Sequence, residues 1–297
     1  MTAIYLGGRA LPRYFVAHSP DADDIFMFYA IAFGWIDTGD IEIDHSAEDI
    51  ETLNRAAIEA RYDVTAISFA LYPLIYKDHA LLRTAASFGR GYGPKLIRRK
   101  DKPLKRAFKV ALSGEHTTNA LLFRLAYPQA RIIYKNFLDI ENAVLSGEAD
   151  AGVLIHESIL GFSDDLCVEA EIWDIWRDLT GGDLPLPLGG MCLRRSLPIT
   201  RAIELETILT KAVKVAVSNK RTLARMLIER NLVRVDCAKL DKYLSLYANE
   251  DSIDFDDTHR AGIEALFRLG YDSGAYAKPL TLDCALIPRE YQHYRSG

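Results

Sequence analysis

The stretch GEADAGVLIHES, residues 147–158, predicts a helix exit at Gly147, a buried strand over 149–155 and a histidine, His156, where that strand ends. Apart from Asp150 the strand residues are apolar, which is typical of a parallel strand covered on both faces. In open α/β sheets the carboxyl ends of the strands face the ligand crevice. An imidazole there, with an ordinary pKa of about 6.5, can accept a proton near neutral pH. His156 is therefore a candidate base, with packing or capping as the alternative.

The chain on both sides of this stretch alternates short β runs with helical ones. The predicted strands are 14–17, 41–44, 63–67, 108–112, 132–134 and 149–155, and the predicted helices between them are 23–33, 49–60, 68–76, 117–126 and 138–146. Beyond residue 199 the pattern is mostly helical, with candidates at 200–217, 220–230, 237–248 and 256–269. Such alternation predicts an α/β protein with mostly parallel sheets flanked by helices.

Two glycine-rich crossings, near 89–107 and 182–194, bracket the second α/β block. They indicate a discontinuous first lobe, 1–100 plus 192–297, and an inserted second lobe, 101–191, that carries His156. Two lobes joined by two crossings form a hinge, and ligand sites favour such interfaces. The candidate site is therefore a cleft between the lobes.

Composition narrows the function classes. The chain has 297 residues, and 36 Lys and Arg against 41 Asp and Glu give a formal charge of −5, which argues against nucleic-acid binding. The longest apolar run, Ile25–Ile36, falls short of the ~20 residues that span a bilayer, and the first 17 residues show no secretory pattern. We therefore expect a cytoplasmic protein with no membrane partner, as a monomer or a homodimer.

Polar residues cluster where predicted strands pass into helices. His18, Asp21, Asp23 and Asp24 could bind a metal, but helix starts attract aspartates for capping alone, and we expect no metal. Ser68 and the pair Thr117 and Thr118 begin two further helices, where hydroxyls either cap the helix or hold an anionic ligand. The segment GRGYGP (89–94) lacks a phosphate-loop pattern, so no cofactor is expected and Arg90 is its one candidate anion contact.

These segments, in this order, resemble the 1,4-dihydroxy-6-naphthoate synthase family of the futalosine route to menaquinone. The matching stretches are Ser19 and Pro20 with Asp24, EDIETLNR (48–55), GRGYGP (89–94), HTT (116–118), GVLIHES (152–158) and LPLPLG (184–189). They run through the first two-thirds of the chain, and the last two stretches are the most specific.

The resemblance implies a two-lobed, type II periplasmic-binding-protein-like fold that works as a cofactor-independent lyase. The implied substrate is cyclic de-hypoxanthine futalosine, a carboxylated ring system fused to the former ribose. The resemblance makes His156 the proton acceptor and makes Ala66, Ile67, Ser68, Thr117 and Thr118 substrate contacts. Ser19, Asp24 and Arg90 complete the expected substrate-binding set.

The sequence also departs from the family pattern. Many members read SPCPNDT where residues 19–25 here read SPDADDI, and a lysine common in the family is Ala66 here. A cationic contact from that position is absent, with Arg90 or His18 as the candidate replacement. Two other functions stay open from sequence: a non-catalytic solute-binding protein, and chorismate dehydratase, an enzyme of the same pathway and similar shape.

Overall fold

The computed structural model describes residues 11–291, in which strands and helices alternate as follows. The strands are β1 (Arg13–His18), β2 (Glu42–Ala47), β3 (Val64–Ser68), β4 (His79–Leu81), β5 (Ser87–Gly89), β6 (Lys95–Arg99), β7 (Lys109–Leu112), β8 (Arg131–Tyr134), β9 (Ala151–Leu154), β10 (Leu166–Glu171) and β11 (Leu186–Arg194). The helices are α1 (Ala22–Ala32), α2 (Ile50–Ile58), α3 (Tyr72–Ile75), α4 (Thr118–Ala126), α5 (Ile140–Leu145), α6 (Ile172–Thr180), α7 (Ile199–Ser218), α8 (Lys220–Glu229), α9 (Cys237–Tyr247) and α10 (Asp257–Asp272).

The strands form two sheets. The first has the order β2-β1-β3-β11-β4, with β5 also paired to β11, and the second has the order β10-β6-β9-β7-β8. In the first sheet β1 is parallel to β2 and β3, and in the second β7 is parallel to β8 and β9. The predicted α/β class with two sheets is confirmed.

Both sheets are mixed, so the prediction of mostly parallel sheets is wrong in that detail. β11 runs antiparallel to β3, β4 and β5, and β6 runs antiparallel to β9 and β10. The physical reason is the path of the chain between the sheets. A strand that enters a sheet from the edge where the parallel strands end must run in the opposite direction.

Sheet pairing assigns two segments differently from the predicted lobe boundaries. β6 lies within residues 1–100, predicted for the first lobe, yet it pairs in the second sheet. The part of β11 before residue 192, predicted for the second lobe, pairs in the first sheet. We propose that the lobes divide at the two crossings, 90–94 and 181–185, with the C-terminal helices in the first lobe.

Local capping sets where the helices begin beside the strand ends. The Asp21 side chain caps α1 by accepting a hydrogen bond from the Asp24 backbone N–H (3.4 Å). The Thr117 hydroxyl caps α4 in the same way, with Ala120 as the donor (3.2 Å). Because each cap follows its strand by only a few residues, both helix N-termini lie at the sheet edge.

The interior of each lobe is apolar. Trp173 and Trp176 of α6, predicted to pack rather than to bind a ligand, are both buried, and the Trp176 indole donates to the Leu184 carbonyl (2.7 Å). Within residues 11–291 no helix has the length and apolar character needed to cross a bilayer.

Gly152, in the middle of β9, gives a test of this packing. A Cβ at position 152 would lie 2.5 Å from Ile140 Cγ2 and 3.0 Å from Val144 Cγ2 of α5. We expect Gly152→Ala to lower the free energy of unfolding by about 1–3 kcal/mol, measured by urea denaturation, because the core is overpacked. Gly182→Ala is the control, since no atom lies within 4 Å of its Cβ and a change within about 0.5 kcal/mol is expected. Equal stabilities for the two variants would contradict the packing.

Candidate active site

A cleft, partly open to solvent, lies where the strand ends of both sheets meet. The first sheet contributes Ser19 after β1 and Ser68 at the end of β3, and the second contributes Ser113 after β7 and His156 after β9. The cleft therefore occupies the position that the strand pattern predicts for a ligand site.

Most of the sequence-predicted site residues line this one cleft. They are His156, Ala66, Ile67, Ser68, Thr117, Thr118, Ser19 and Asp24. The other lining residues are Asp21, Asp23, Ile50, Ser87, Pro94, Ser113, Asn119, Ile155, Leu188, Gly189, Gly190, Tyr243 and Tyr247. The structure thus brings these residues together in one cleft, and their roles toward a substrate stay predictions.

Arg90 is the exception, because it does not line the cleft. Its turn contains Gly91 in the left-handed region (φ +78°), and the exposed guanidinium donates to the Thr258 hydroxyl (3.3 Å) at the start of α10. His18 does not replace it. Its ring is buried against His45 (3.1 Å) and the Ser19 carbonyl (2.8 Å), and burial lowers its pKa to about 4, so it is neutral at pH 7. The expected cationic contact is therefore not provided by either residue.

The two ring nitrogens of His156 have different surroundings. Its Nδ1 lies 2.5 Å from Asp21 Oδ2, whereas its Nε2 is buried with no hydrogen-bond partner within residues 11–291. The ring edge packs on Phe137, with centroids 4.9 Å apart. The backbone has a φ of +54°, a strained conformation for a residue other than glycine and one that clusters at functional sites. A histidine with one nitrogen on a carboxylate and the other facing a cleft is arranged for proton transfer.

The charges of Asp21 and His156 shift each other's proton affinity. Burial alone lowers the pKa of His156, but the adjacent Asp21 carboxylate outweighs burial and holds this pKa above its ordinary value of 6.5. Burial alone raises the pKa of Asp21, but the positive charge of His156 outweighs it and the pKa of Asp21 is lowered. The pair therefore favours a carboxylate beside an imidazolium, and the imidazole loses its proton above its raised pKa.

Two further carboxyl groups crowd the start of α1. Burial and the Asp21 charge raise the pKa of Asp24 to about 8, although its carboxyl accepts the Ser19 backbone N–H (2.7 Å). Burial and the same neighbours hold the pKa of Asp23 well above its usual range. Asp23 accepts hydrogen bonds from the Ser87 hydroxyl (2.7 Å) and the Tyr243 hydroxyl (3.1 Å). Asp24 is therefore protonated at neutral pH, burial favours the protonated form of Asp23 as well, and Asp21 carries the charge.

Asp21, Asp23 and His156 place one ligand atom each within 4.8 Å of one another. This spacing would fit a metal ion, but both Asp23 oxygens already accept hydrogen bonds from protein donors. His18, part of the metal alternative considered from sequence, is turned away toward His45. The donor set therefore suits protons, and we assign no metal to it.

The opposite side of the cleft is neutral and rich in hydroxyl groups. Thr118 Oγ1 donates to the Leu188 carbonyl (3.0 Å) and accepts the Ala70 backbone N–H (3.3 Å). Ser68 accepts from the Asn54 side chain (3.1 Å). Polar side-chain atoms of Ser113 and Asn119 are buried with no hydrogen-bond partner among the described residues. Unpaired buried polar atoms are costly, and both residues line the cleft, so a bound ligand is a candidate partner for these two atoms.

Closure of the cleft involves a contact between the lobes at Gly114. Glu51 of α2 accepts the His116 backbone N–H (3.2 Å), and its other oxygen lies 2.9 Å from His116 Nδ1. A Cβ at position 114 would lie 2.2 Å from Glu51 Oε2. Only glycine at this position leaves room for the Glu51 carboxylate to reach the second lobe.

A family model described as menaquinone biosynthesis matches residues 14–272, which is nearly every element from β1 to α10. The chain belongs to this family. A relative from Streptomyces coelicolor, named 1,4-dihydroxy-6-naphthoate synthase, is 31% identical over 258 residues, 84% of this chain and 90% of that protein. A relative of the same name from Thermus thermophilus is 34% identical over 183 residues, 60% of this chain and 65% of that protein. The predicted family is confirmed, and this member of the menaquinone-biosynthesis family is an enzyme.

Solved structures support the fold of this menaquinone-biosynthesis enzyme. A protein from Archaeoglobus fulgidus superposes with a TM-score of 0.82 at 34% identity and covers 89% of this chain and 98% of its own. The periplasmic aliphatic sulphonate binding protein of Escherichia coli superposes at 0.62 with 10% identity, covering 96% of both chains. A Candida albicans protein described as having the generic periplasmic binding protein fold gives 0.67 at 10% identity, covering 93% and 96%. The predicted two-lobed fold is confirmed.

The Glu51 contact gives a test of closure in this menaquinone-biosynthesis enzyme. We expect Gly114→Ala to displace Glu51 and to increase the radius of gyration measured by small-angle scattering, because the lobes lose a charge-assisted contact. Glu115→Ala, at the neighbouring exposed position, is the control and should scatter like the parent protein. An unchanged radius of gyration in Gly114→Ala would show that Glu51 does not hold the lobes together.

Proposed function

We propose that this enzyme is a 1,4-dihydroxy-6-naphthoate synthase, a lyase that converts cyclic de-hypoxanthine futalosine in the cytoplasm. The observation that carries the proposal is the unpartnered Nε2 of His156, buried in the cleft with Nδ1 on a carboxylate. The relatives that bear this name match most of the chain, which supports the same activity here. The partner is a small carboxylated molecule, and neither nucleic acid nor a membrane takes part.

The proposed reaction begins with proton abstraction. Neutral His156, populated above its raised pKa, accepts through Nε2 a proton from the sugar-derived ring of the substrate. The electron pair of the broken C–H bond drives cleavage of a carbon–carbon bond, the ring opens, and the departing small carbon fragment takes the proton back from His156 as the remaining rings become aromatic. This sequence needs a positioned base, and such a base typically contributes about 10²–10⁴-fold to the rate.

The charge distribution of the cleft sets the orientation of the substrate. The start of α1 carries the Asp21 charge beside Asp23 and Asp24, whose pKa values are raised, so a substrate carboxylate is repelled from that end. At the other end, the N-terminus of α4 offers a positive dipole, and the nearby hydroxyls of Thr117 and Thr118, which donate to the Gly114 and Leu188 carbonyls, carry no charge. We therefore place the carboxylate near α4 and Ser68, with the sugar-derived ring against His156.

Direct turnover is the test of the proposed function. We expect the purified protein to convert cyclic de-hypoxanthine futalosine to 1,4-dihydroxy-6-naphthoate, followed by chromatography, and to leave chorismate unchanged. Loss of chorismate instead would identify a chorismate dehydratase. Tight binding of either compound without any product would identify a non-catalytic solute-binding protein, and both results would overturn the proposal.

The role of His156 has its own test. We expect His156→Ala to slow turnover by about 10²–10⁴-fold, because the base is lost while the cleft remains. His45→Ala is the matched control, since His45 is an exposed histidine outside the cleft, and its turnover should stay close to that of the parent protein. Circular dichroism of both variants checks the fold. Turnover in His156→Ala within a few fold of the parent would remove His156 from the reaction.

A further inference from the structure

The two members of the Asp21 and His156 pair belong to different lobes. Asp21 follows β1 of the first sheet and caps α1, whereas His156 follows β9 of the second sheet. Yet Nδ1 and Oδ2 are 2.5 Å apart. The residues that follow Asp21 and His156 also contact each other, because Glu157 Oε1 accepts the Ala22 backbone N–H (2.8 Å). Two consecutive residues of the second lobe therefore dock on the first turn of α1.

We infer that Asp21 is a positioning residue that reaches across the cleft to hold His156 in the orientation of a base, so that base and support meet only when the lobes are closed. The inference rests on the proposed role of His156 in proton transfer. It adds a second residue to that role and couples the reaction to closure.

The orientation of His156 depends on Asp21 because, among the described residues, Asp21 makes the polar contact recorded for the ring. Phe137 packs against the imidazole ring but offers no hydrogen-bonding group, and Nε2 has no partner in the described part of the chain. The other charged or titratable groups near the ring are Asp23, Asp24 and Glu157, with Arg234 beyond them, 3.9 Å from Glu157 and over the Phe137 ring. None of these four has a hydrogen bond to the imidazole in the structure. Asp21 is thus the group that selects which nitrogen faces the cleft.

The Asp21 charge also acts during proton transfer. As Nε2 takes the proton, the ring becomes an imidazolium with Nδ1–H still donated to Asp21, and the carboxylate stays ionised throughout. A carboxylate at this distance in a dry site stabilises the positive ring far more than water would. With the lobes apart, the imidazole would lose this stabilisation. Asp21 therefore gives the closed form a stronger base than the open form.

Asp21→Asn tests the inference without removing the helix cap, since asparagine caps a helix about as well as aspartate. We expect kcat to fall by more than about tenfold with KM changed less than about threefold, because the loss acts on the reaction and not on binding. Removing the carboxylate leaves burial as the dominant effect on the ring, so the acid limb of kcat/KM and the His156 titration followed by NMR should both move to lower pH.

The controls separate positioning from capping. Asp236→Asn makes the same substitution at the cap of α9, where Asp236 accepts the Lys239 N–H (2.9 Å) outside the cleft, and kcat should not change. Asp21→Ser also keeps a capping side chain but is too short to reach the ring, and it should behave like Asp21→Asn. In a His156→Ala background, Asp21→Asn should add no further loss, because the two residues act as one unit.

The outcomes separate this inference from the proposed function. The NMR titration needs no substrate, so a downward shift of His156 in Asp21→Asn supports the pair even if the parent protein makes no product, a result that would overturn the function alone. A parent protein that turns over, with an unshifted titration in Asp21→Asn, would overturn the inference alone. A full additional loss in the His156→Ala background would also overturn it.

Discussion

The contact between the Asp21 carboxylate and the His156 imidazole is the interaction on which the site depends, because it joins the candidate base on one lobe to a carboxylate on the other. It brings the end of β1 against the end of β9. The capping of α1 by Glu157 places a second contact beside it. Each lobe thus supplies one residue of the Asp21 and His156 pair, and the two residues come into contact when the lobes close.

The same contact organises the charge of the cleft. Once Asp21 is ionised beside His156, burial and the Asp21 charge together favour the protonated forms of the neighbouring Asp23 and Asp24. Negative charge is then confined to one end of the cleft, and neutral donors at the start of α4 occupy the other. A substrate with a single carboxylate consequently has one favourable orientation, with its reacting ring toward the imidazole.

Sequence patterns predicted the site residues that lie at strand ends. They did not predict the residues that long-range packing brings to the site. His156 and Ser68 could be placed because parallel strands end at one edge, a rule that needs only local periodicity. Tyr243 lies in α9, predicted as a helix, but nothing in its pattern shows that it reaches Asp23, 220 positions away. Arg90 was expected to contact the substrate but lies outside the cleft. The direction of its glycine-rich turn is set by backbone angles that composition does not specify. The antiparallel course of β11 likewise follows from the path between the lobes.

A crystal structure with 1,4-dihydroxy-6-naphthoate bound tests the central claim most directly. The account predicts that the product lies between closed lobes, with its hydroxylated ring within about 3.5 Å of His156 Nε2, a distance suited to proton transfer. It also predicts that Nδ1 remains on Asp21 and that the product carboxylate points toward α4. A product bound with its carboxylate against His156, or a His156 ring turned away from Asp21 in the closed complex, would contradict the account.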